Sequence, residues 1–225
     1  PPGYERSFSA WLPKWSIAYD FTESVRAGVL IQRAYNPGGI TLQLDTGAHE
    51  TFSDETLWNY EAFGRARLAG GALNLSGNLF YAAMRDAQRF SFFTVSLPGG
   101  PPVTLAHIFN VPRARSFGAE ITAEWRASEQ ISFRAAIGLL DTKITGTDTA
   151  SAAFQGREFA RSPGLTASGA IDWRPIAPLR LSAQARHHGS YFSDDTEAAT
   201  LRVERAMLVD ARAPGTSGRV TLFGY

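Results

Sequence analysis

Between Leu73 and Met84 the sequence reads LNLSGNLFYAAM, with apolar side chains at alternate places and Asn74, Ser76 and Asn78 between them. A period of two marks an extended strand whose two faces meet different surroundings. The alternation returns along the chain. Phe117, Ala119, Ile121, Ala123 and Trp125 oppose Gly118, Glu120, Thr122, Glu124 and Arg126. Ile131, Phe133, Ala135, Ile137 and Leu139 oppose Ser132, Arg134, Ala136 and Gly138. Leu165, Ala167, Gly169, Ile171 and Trp173 oppose Thr166, Ser168, Ala170 and Asp172, and Leu181, Ala183 and Ala185 oppose Ser182, Gln184 and Arg186.

Extended over the whole chain, the pattern predicts ten strands, at 7–20, 24–34, 57–69, 72–86, 114–126, 130–143, 160–173, 179–191, 201–212 and 219–225. Many run past ten residues. Strands of soluble proteins commonly stop near five or six, whereas a membrane-crossing strand needs about 9 to 11. The connections alternate in length. Short ones fall at 21–24, 69–71, 128–130, 175–178 and 214–218, and long ones near 35–56, 87–113, 144–159 and 192–200. Tight turns at one end and long loops at the other are the layout of an outer-membrane β-barrel, with the short turns periplasmic and the long loops extracellular. Phe21, Trp125 and Trp173 sit on the apolar face beside short turns, where an interfacial aromatic girdle belongs. The Leu73, Leu75 and Leu79 side is therefore expected to face lipid, and the Asn74, Ser76 and Asn78 side a lumen.

Composition sharpens this reading. Twenty-two basic residues nearly cancel 21 acidic ones, which argues against a nucleic-acid partner. The chain has no cysteine, so disulfides and thiolate metal sites are excluded. That suits a protein crossing an oxidising periplasm unfolded. Nothing approaches the ~18 to 20 consecutive apolar residues of a membrane-spanning helix. A soluble sandwich or lipocalin-like barrel would also alternate. Its apolar face would be dominated by large core side chains, however, whereas here that face holds many Ala and Gly. The polar face carries charges of both signs, such as Glu61 with Arg65 and Glu120 with Glu124 and Arg126.

An ordered series of short motifs then emerges. RAYNPGG (33–39) leads into the first long loop, followed by Glu55, NYE (59–61) and NLFYAAMRD (78–86). PRARSFGAEITAEWR (112–126), GLLDTKI (138–144), FARSPGLTASGAIDW (159–173), YFSDD (191–195), LVDAR (208–212) and VTLFGY (220–225) come next. The series resembles the C-terminal part of the barrel of TonB-dependent outer-membrane receptors of the siderophore type, over essentially the whole chain. The resemblance implies an all-β, antiparallel transmembrane barrel fragment of about ten strands. Such receptors have about 22 strands around a plugged lumen. Residues 1–225 are accordingly expected to be a partial barrel domain, with the plug domain and TonB box outside them.

By that resemblance the protein is not an enzyme and needs no cofactor. It is expected to take up a bulky nutrient such as an iron–siderophore across the outer membrane of a Gram-negative bacterium. Its implied partners are outer-membrane lipid, the plug domain, TonB–ExbB–ExbD and the small-molecule ligand. The competing reading is a self-contained small barrel, either a porin-like channel or an omptin-like hydrolase. In the latter, His187-His188 and Asp194-Asp195 would activate water, with Asp141 and Asp148 as a second acidic pair.

Candidate ligand-binding residues lie at the long-loop end. Pro37 stops the strand and Gly38-Gly39 let the chain turn out of the wall, leaving Arg33, Tyr35 and Asn36 at the mouth, with Arg33 facing an anionic ligand. His49, in GAHETFSDE, and His107 are loop histidines that could meet a metal chelate beside Glu50, Asp45 and Asp54, but no H-x-x-x-H spacing marks a metal site. Phe92, between Phe90 and Phe93, belongs to a hairpin pinned by Pro98-Gly99-Gly100-Pro101-Pro102 that could pack a lipophilic ligand. His188 is expected to face the lumen, His187 the lipid, and Tyr191 closes the set.

Overall fold

The computed structural model describes residues 5–43, 48–96, 99–176, 179–213, 215–217 and 220–222. Its strands are β1 (Lys14–Thr22), β2 (Val25–Asn36), β3 (Gly39–Gln43), β4 (Ala48–Phe52), β5 (Glu55–Leu68), β6 (Leu73–Ser96), β7 (Pro102–Arg126) and β8 (Ile131–Gly146). They continue as β9 (Leu165–Ile176), β10 (Leu179–His188), β11 (Tyr191–Phe192), β12 (Arg202–Val203), β13 (Ala206–Arg212), β14 (Gly215–Ser217) and β15 (Val220–Leu222). One antiparallel sheet runs β1-β2-β5-β6-β7-β8-β9-β10, and β10 then pairs with both β13 and β14. Because Ser182 faces Arg212 and Leu179 faces Gly215, β13 and β14 are successive parts of one strand, and β15 pairs back on β14. The meander therefore has ten places among the described residues, as the alternation predicts.

Several expected boundaries move. The first strand begins at Lys14 rather than residue 7, and the carbonyl of Pro13 accepts the last ladder bond, from Arg33 N at 2.9 Å. The strand expected from 160 begins at Leu165, since Pro163 offers no N–H to a ladder. The segment expected at 201–212 divides: β12 pairs with β11 above the sheet, while β13 joins the wall. The largest correction concerns 87–113, expected to be a long loop holding a hairpin at 91–105: the hairpin forms, but as a direct extension of the wall strands. There β6 and β7 continue as one hairpin, paired from Ala87–Val111 up to Ser96–Pro102. The β-branched and aromatic content of FSFFTVS and VTLAHIF keeps that excursion extended. The first long loop likewise holds a hairpin, β3–β4, as a separate two-stranded sheet.

Register fixes which side chains share a face. Ile17, Val29, Ala62, Leu79, Ala119, Leu139 and Leu165 follow one another across the strands. One row below in β7, Ile121 lies between Gly77 and Ile137. These outer side chains are bare: Ile17 is 71% exposed and Ile121 60%. The opposite rows hold Arg65, Ser76, Thr122 and Ala136, then Glu120 and Asn78, then Arg134, Ala170 and Gln184. A continuous apolar outer face and a charged inner face are the inverse of a soluble sandwich.

Aromatic side chains bound the outer band. Tyr60, Tyr81 and Phe117 are neighbours in one row towards the loop end. Trp125 stacks on Phe133 at 5.4 Å towards the short-turn end, and Trp173 lies on the next strand beyond Phe133, opposite Ile131. From Phe117 to Trp125 is about 26 Å along a strand rising roughly 3.3 Å per residue. At a tilt of about 40° that is roughly 20 Å of height, close to the ~25 Å apolar band of outer-membrane barrels.

The turns are built for tightness. Gly70 (φ 63°) and Gly71 (φ 87°) supply left-handed backbone in the 3-10 turn between β5 and β6. Ser128 Oγ accepts from the amides of Gln130 and Ile131 at 3.2 and 3.1 Å in the turn before β8.

Candidate functional site, a tied loop platform above a charged wall

Above the aromatic row the sheet changes sides. Asp86 adopts φ 51° opposite Pro112, and neither enters the ladder between Arg85–Arg113 and Ala87–Val111. Pro112 has no N–H to donate; the freed carbonyl of Asp86 instead accepts from Asn110 Nδ2 at 2.6 Å. Below this break the even-numbered positions face inward; above it the odd ones do. In consequence Met84 and Ala114 from below pack with Ala87 and Val111 from above, around fully buried Ile144. Phe109, Phe154 and Phe159 complete this core, with Phe109 and Phe154 rings 4.7 Å apart.

Polar contacts tie the upper connections to one another. Gln88 Nε2 donates to Pro37 O (2.9 Å) and Ser53 O (3.0 Å), while Asn36 Nδ2 donates to Gln88 Oε1 at 2.7 Å. Gln88 N donates to Glu55 Oε2 at 2.6 Å, and Ser53 N to Asn110 Oδ1 at 2.6 Å. These bonds fix the 37–54 connection against the β6–β7 hairpin.

The strongest tie is Arg89 to Asp195. Nε and Nη2 donate to the two carboxylate oxygens at 2.6 and 2.7 Å, a bidentate pair. Asp195 is fully buried, and its Oδ1 also accepts from Ala160 N at 2.6 Å. The Arg89 guanidinium lies 4.0 Å over the Phe159 ring. Nearby, Glu197 accepts from Arg157 Nη1 (3.0 Å) and Glu158 N (2.6 Å). One carboxylate and its neighbour thus join the β6–β7 hairpin, the 147–164 connection and the 189–205 connection.

At the tip of the 147–164 connection, Ser151 donates through both its hydroxyl (2.6 Å) and amide (2.9 Å) to Asp148 Oδ1. Those bonds hold the Asp148 carboxyl below its ordinary value.

Of the sequence candidates, His188 and Tyr191 come together: their rings meet edge to face at 5.5 Å, and His188 Nδ1 lies 2.9 Å from Gly189 O. His188 shares the inner rows, and His187 the outer one with Ala167 and Met207, as expected. Asn36 is taken up in the Gln88 clamp. His49 is exposed on β4, across from Leu42. Arg33 and Tyr35 stand in the outer row of β2 with Val29 and Ile31, so Arg33 does not look into the lumen; its Nη1 reaches Trp11 O at 3.5 Å. Phe92 and His107 lie in β6 and β7, opposite Ala106 and Ser91. Their side chains fall outside the described residues, as do Asp45 and Pro98.

The hydrolase arrangement does not form. Both Asp195 oxygens are bound, Asp141 points outward to Arg115 Nη1 at 2.7 Å, and Asp148 is held by Ser151. No group of three or more His, Asp or Glu among the described residues is arranged to hold a metal ion. Gln88, Arg89 and Asn110, which help organise the platform, carry no sequence signal; Asp195 closes the YFSDD segment, but nothing in that segment marks Arg89, 106 positions away, as its partner.

Below the platform the inner wall is polar and cross-linked. Asp172 accepts from Arg134 (3.0 Å) and Arg180, at the floor of a hollow also lined by Gln184, Asp210 and Arg212. Phe63 and Phe80 lie flat across strands over Gly28 and Gly118, where a Cβ would strike their rings. The inner surface is thereby kept low.

A membrane-type antiparallel barrel wall with an ordered receptor-like loop platform is the class these features define. Residues 2–225 match the TonB-dependent receptor-like β-barrel family model, and the chain belongs to that family. It is a family of transport receptors rather than enzymes. Among solved structures, the ferric yersiniabactin uptake receptor FyuA from Yersinia pestis superposes with a TM-score of 0.73 at 19% identity, covering 91% of this chain and 29% of that one. The siderophore receptor PiuA from Acinetobacter baumannii gives 0.70 at 14% identity, covering 92% and 29%. The copper transporter OprC gives 0.68 at 11% identity, covering 91% and 32%. The chain thus spans about a third or less of these proteins, and at such identities the likeness is one of fold.

Proposed function

We propose that residues 1–225 are the later part of the barrel domain of an outer-membrane active-transport receptor in a Gram-negative bacterium. In this reading the barrel takes up a bulky nutrient such as an iron–siderophore, a plug domain fills the charged lumen, and TonB–ExbB–ExbD supplies the energy. The observation that carries it is the pairing of a bare apolar outer face with a loop end whose four connections are bonded into one platform. A platform of that kind holds a ligand while the wall stays fixed. His188 and Tyr191, together at the platform's lower edge, are the favoured ligand contacts. His49, Asn36, Phe92 and His107 are the loop contributors.

The test is uptake by cells expressing the full-length receptor as their sole route for iron chelates. Radioiron-loaded catecholate, hydroxamate and phenolate siderophores are supplied in turn. Uptake of one class that vanishes on deletion of TonB or addition of a protonophore is the expected result. Uptake that persists without TonB would identify a passive channel and sink the proposal.

A further inference from the structure

The two rings that meet at the platform's lower edge are held by different parts of the chain. His188 ends β10 and belongs to the wall: its backbone pairs with Thr166 on one side and Ala206 on the other, and the next amide, Gly189 N, donates to Leu165 O at 2.8 Å. Tyr191 stands on β11, which pairs with β12 in a two-stranded sheet of its own. That small hairpin takes its position from other contacts. Phe192 O accepts from Arg161 N at 2.7 Å, and Ser193 N donates to Leu201 O at 2.9 Å. Three residues past Phe192, the fully buried Asp195 carboxylate receives Arg89 in two bonds and Ala160 N in a third. Thr196 N donates to Asp194 Oδ1 at 2.8 Å and closes the turn. Arg89 comes from the β6–β7 hairpin, which continues the wall, so the Asp195 carboxylate joins β11 to the wall through Arg89.

We infer that Arg89 and Asp195 are positioning residues for ligand binding: by tying β11 to the wall they hold the Tyr191 ring against His188, and so set the affinity of that pair for its ligand. The inference rests on the receptor reading above and deepens it. Arg89 is taken up by the tie, since Nε and Nη2 both bond the carboxylate and the guanidinium lies over Phe159. Its effect therefore reaches a ligand through Tyr191. The edge-to-face contact of His188 and Tyr191 at 5.5 Å exists only while the two supports keep their spacing. A buried carboxylate is tolerated when paired and bonded and strongly disfavoured when its partner is lost, so the tie is held or broken rather than stretched. Once it is broken, β11 keeps the Arg161 bond and Tyr191 samples several positions. A ligand then binds in proportion to the fraction of time that the competent arrangement exists, and a fraction of about one tenth weakens apparent affinity about tenfold. Uptake at saturating ligand keeps its rate, because the tie takes no part in passage through the lumen.

Cells carrying the full-length receptor as their sole route for iron chelates are offered radioiron-loaded catecholate, hydroxamate and phenolate siderophores. Binding is measured in the cold on de-energised cells, and concentration-dependent uptake on energised ones. Arg89→Ala is expected to raise the Kd of whichever chelate the native receptor binds about tenfold, with the saturating uptake rate per surface receptor within about twofold. Arg89→Ala/Asp195→Ala, which leaves no buried carboxylate unpaired and so spares the fold, should give the same shift. Tyr191→Ala should weaken binding as well, and adding Arg89→Ala to it should change nothing further. An unchanged Kd in the Arg89→Ala/Asp195→Ala variant overturns the inference. So does a further loss in the Tyr191→Ala background, which would make the tie a general support of the platform, and so does a saturating rate that falls in step with affinity. If the native receptor binds none of the three chelates, the receptor reading falls and the inference with it; normal native binding with unshifted variants removes the inference alone.

Discussion

The wall and the platform of this chain are held together by different physics. In the wall, from Tyr81 down to Leu73 and its neighbours, cohesion lies in the unbroken backbone ladder; side chains on both faces of this stretch of β6 are half-buried or exposed, none fully buried. Its inner ion pairs, such as Arg134–Asp172 and Arg180–Asp172, have arginines about half exposed or more and add little. In the platform the ladder breaks at Asp86 and Pro112, and a small apolar core with buried polar ties takes over. The wall tolerates side-chain change wherever hydropathy and face are respected. The platform depends on a handful of atoms.

The sharpest way to break that contrast is to remove Arg89. Arg89→Ala leaves the Asp195 carboxylate buried with only the Ala160 amide, and losing one partner of such a pair costs about 3–5 kcal/mol. Hydrogen exchange should rise at residues 159–160 and 192–203 while the wall amides between 73 and 81 stay protected. Uniform protection throughout would show that the platform does not depend on the pair.

Ile121→Arg probes the wall at the middle of the outer band, where an added charge costs about 2–4 kcal/mol. Thr122→Arg, on the neighbouring inner position, should be close to neutral. Unfolding in urea from lipid vesicles reads both, and equal losses would contradict the assignment of faces. Gly118→Val tests the inner wall, because its Cβ would meet both the Phe80 ring and Leu139 O. A loss of about 1–3 kcal/mol is expected for overpacking, against almost none for Gly169→Ala, which has open space.

Asn110→Ala removes three bonds to Ser53 and Asp86 at the partly exposed base of the hairpin. At about 0.5–1.5 kcal/mol per bond, the 37–54 connection should become protease-sensitive before the wall does. If cleavage there is unchanged, Gln88 alone holds the connection. The smallest effect belongs to Asp148. Its folded pKa is depressed, so its contribution is complete above the ordinary value of 3.8 and is lost as pH falls through the lower folded value. Exchange at the Ser151 amide, corrected for intrinsic rate, should accelerate below that window and remain flat between pH 5 and 7. Acceleration already present at pH 6 would rule out the carboxylate as its cause.

The extent of legibility follows the same division. Period-two alternation is written residue by residue, so the strands around Leu79, Ile121, Ile137 and Ala167 and the two faces of the wall could be read directly. Turn length, set by Gly70-Gly71 and by Ser128, likewise placed the short-turn end. The expected first strand is too long because Trp11 continues the apolar rhythm of Trp15, Ile17 and Tyr19 beyond Pro13, where the ladder ends. The hairpin at 91–105 is legible from its Pro-Gly-Gly-Pro-Pro turn, but its continuity with the wall is not, because a barrel strand is expected to stop at the membrane edge, whereas β6 and β7 continue well past it.

By itself the sequence determined a ten-place meander, its lipid and lumen faces and its long-loop end, since each depends on neighbours two to a few residues apart. Only the tertiary structure decided that the faces exchange at Asp86 and Pro112. It alone brought Arg89 to Asp195 and bonded Gln88 and Asn110 to the 37–54 connection. Those outcomes depend on pairing register and on contacts between connections far apart in the chain, and no local rhythm of residues encodes them.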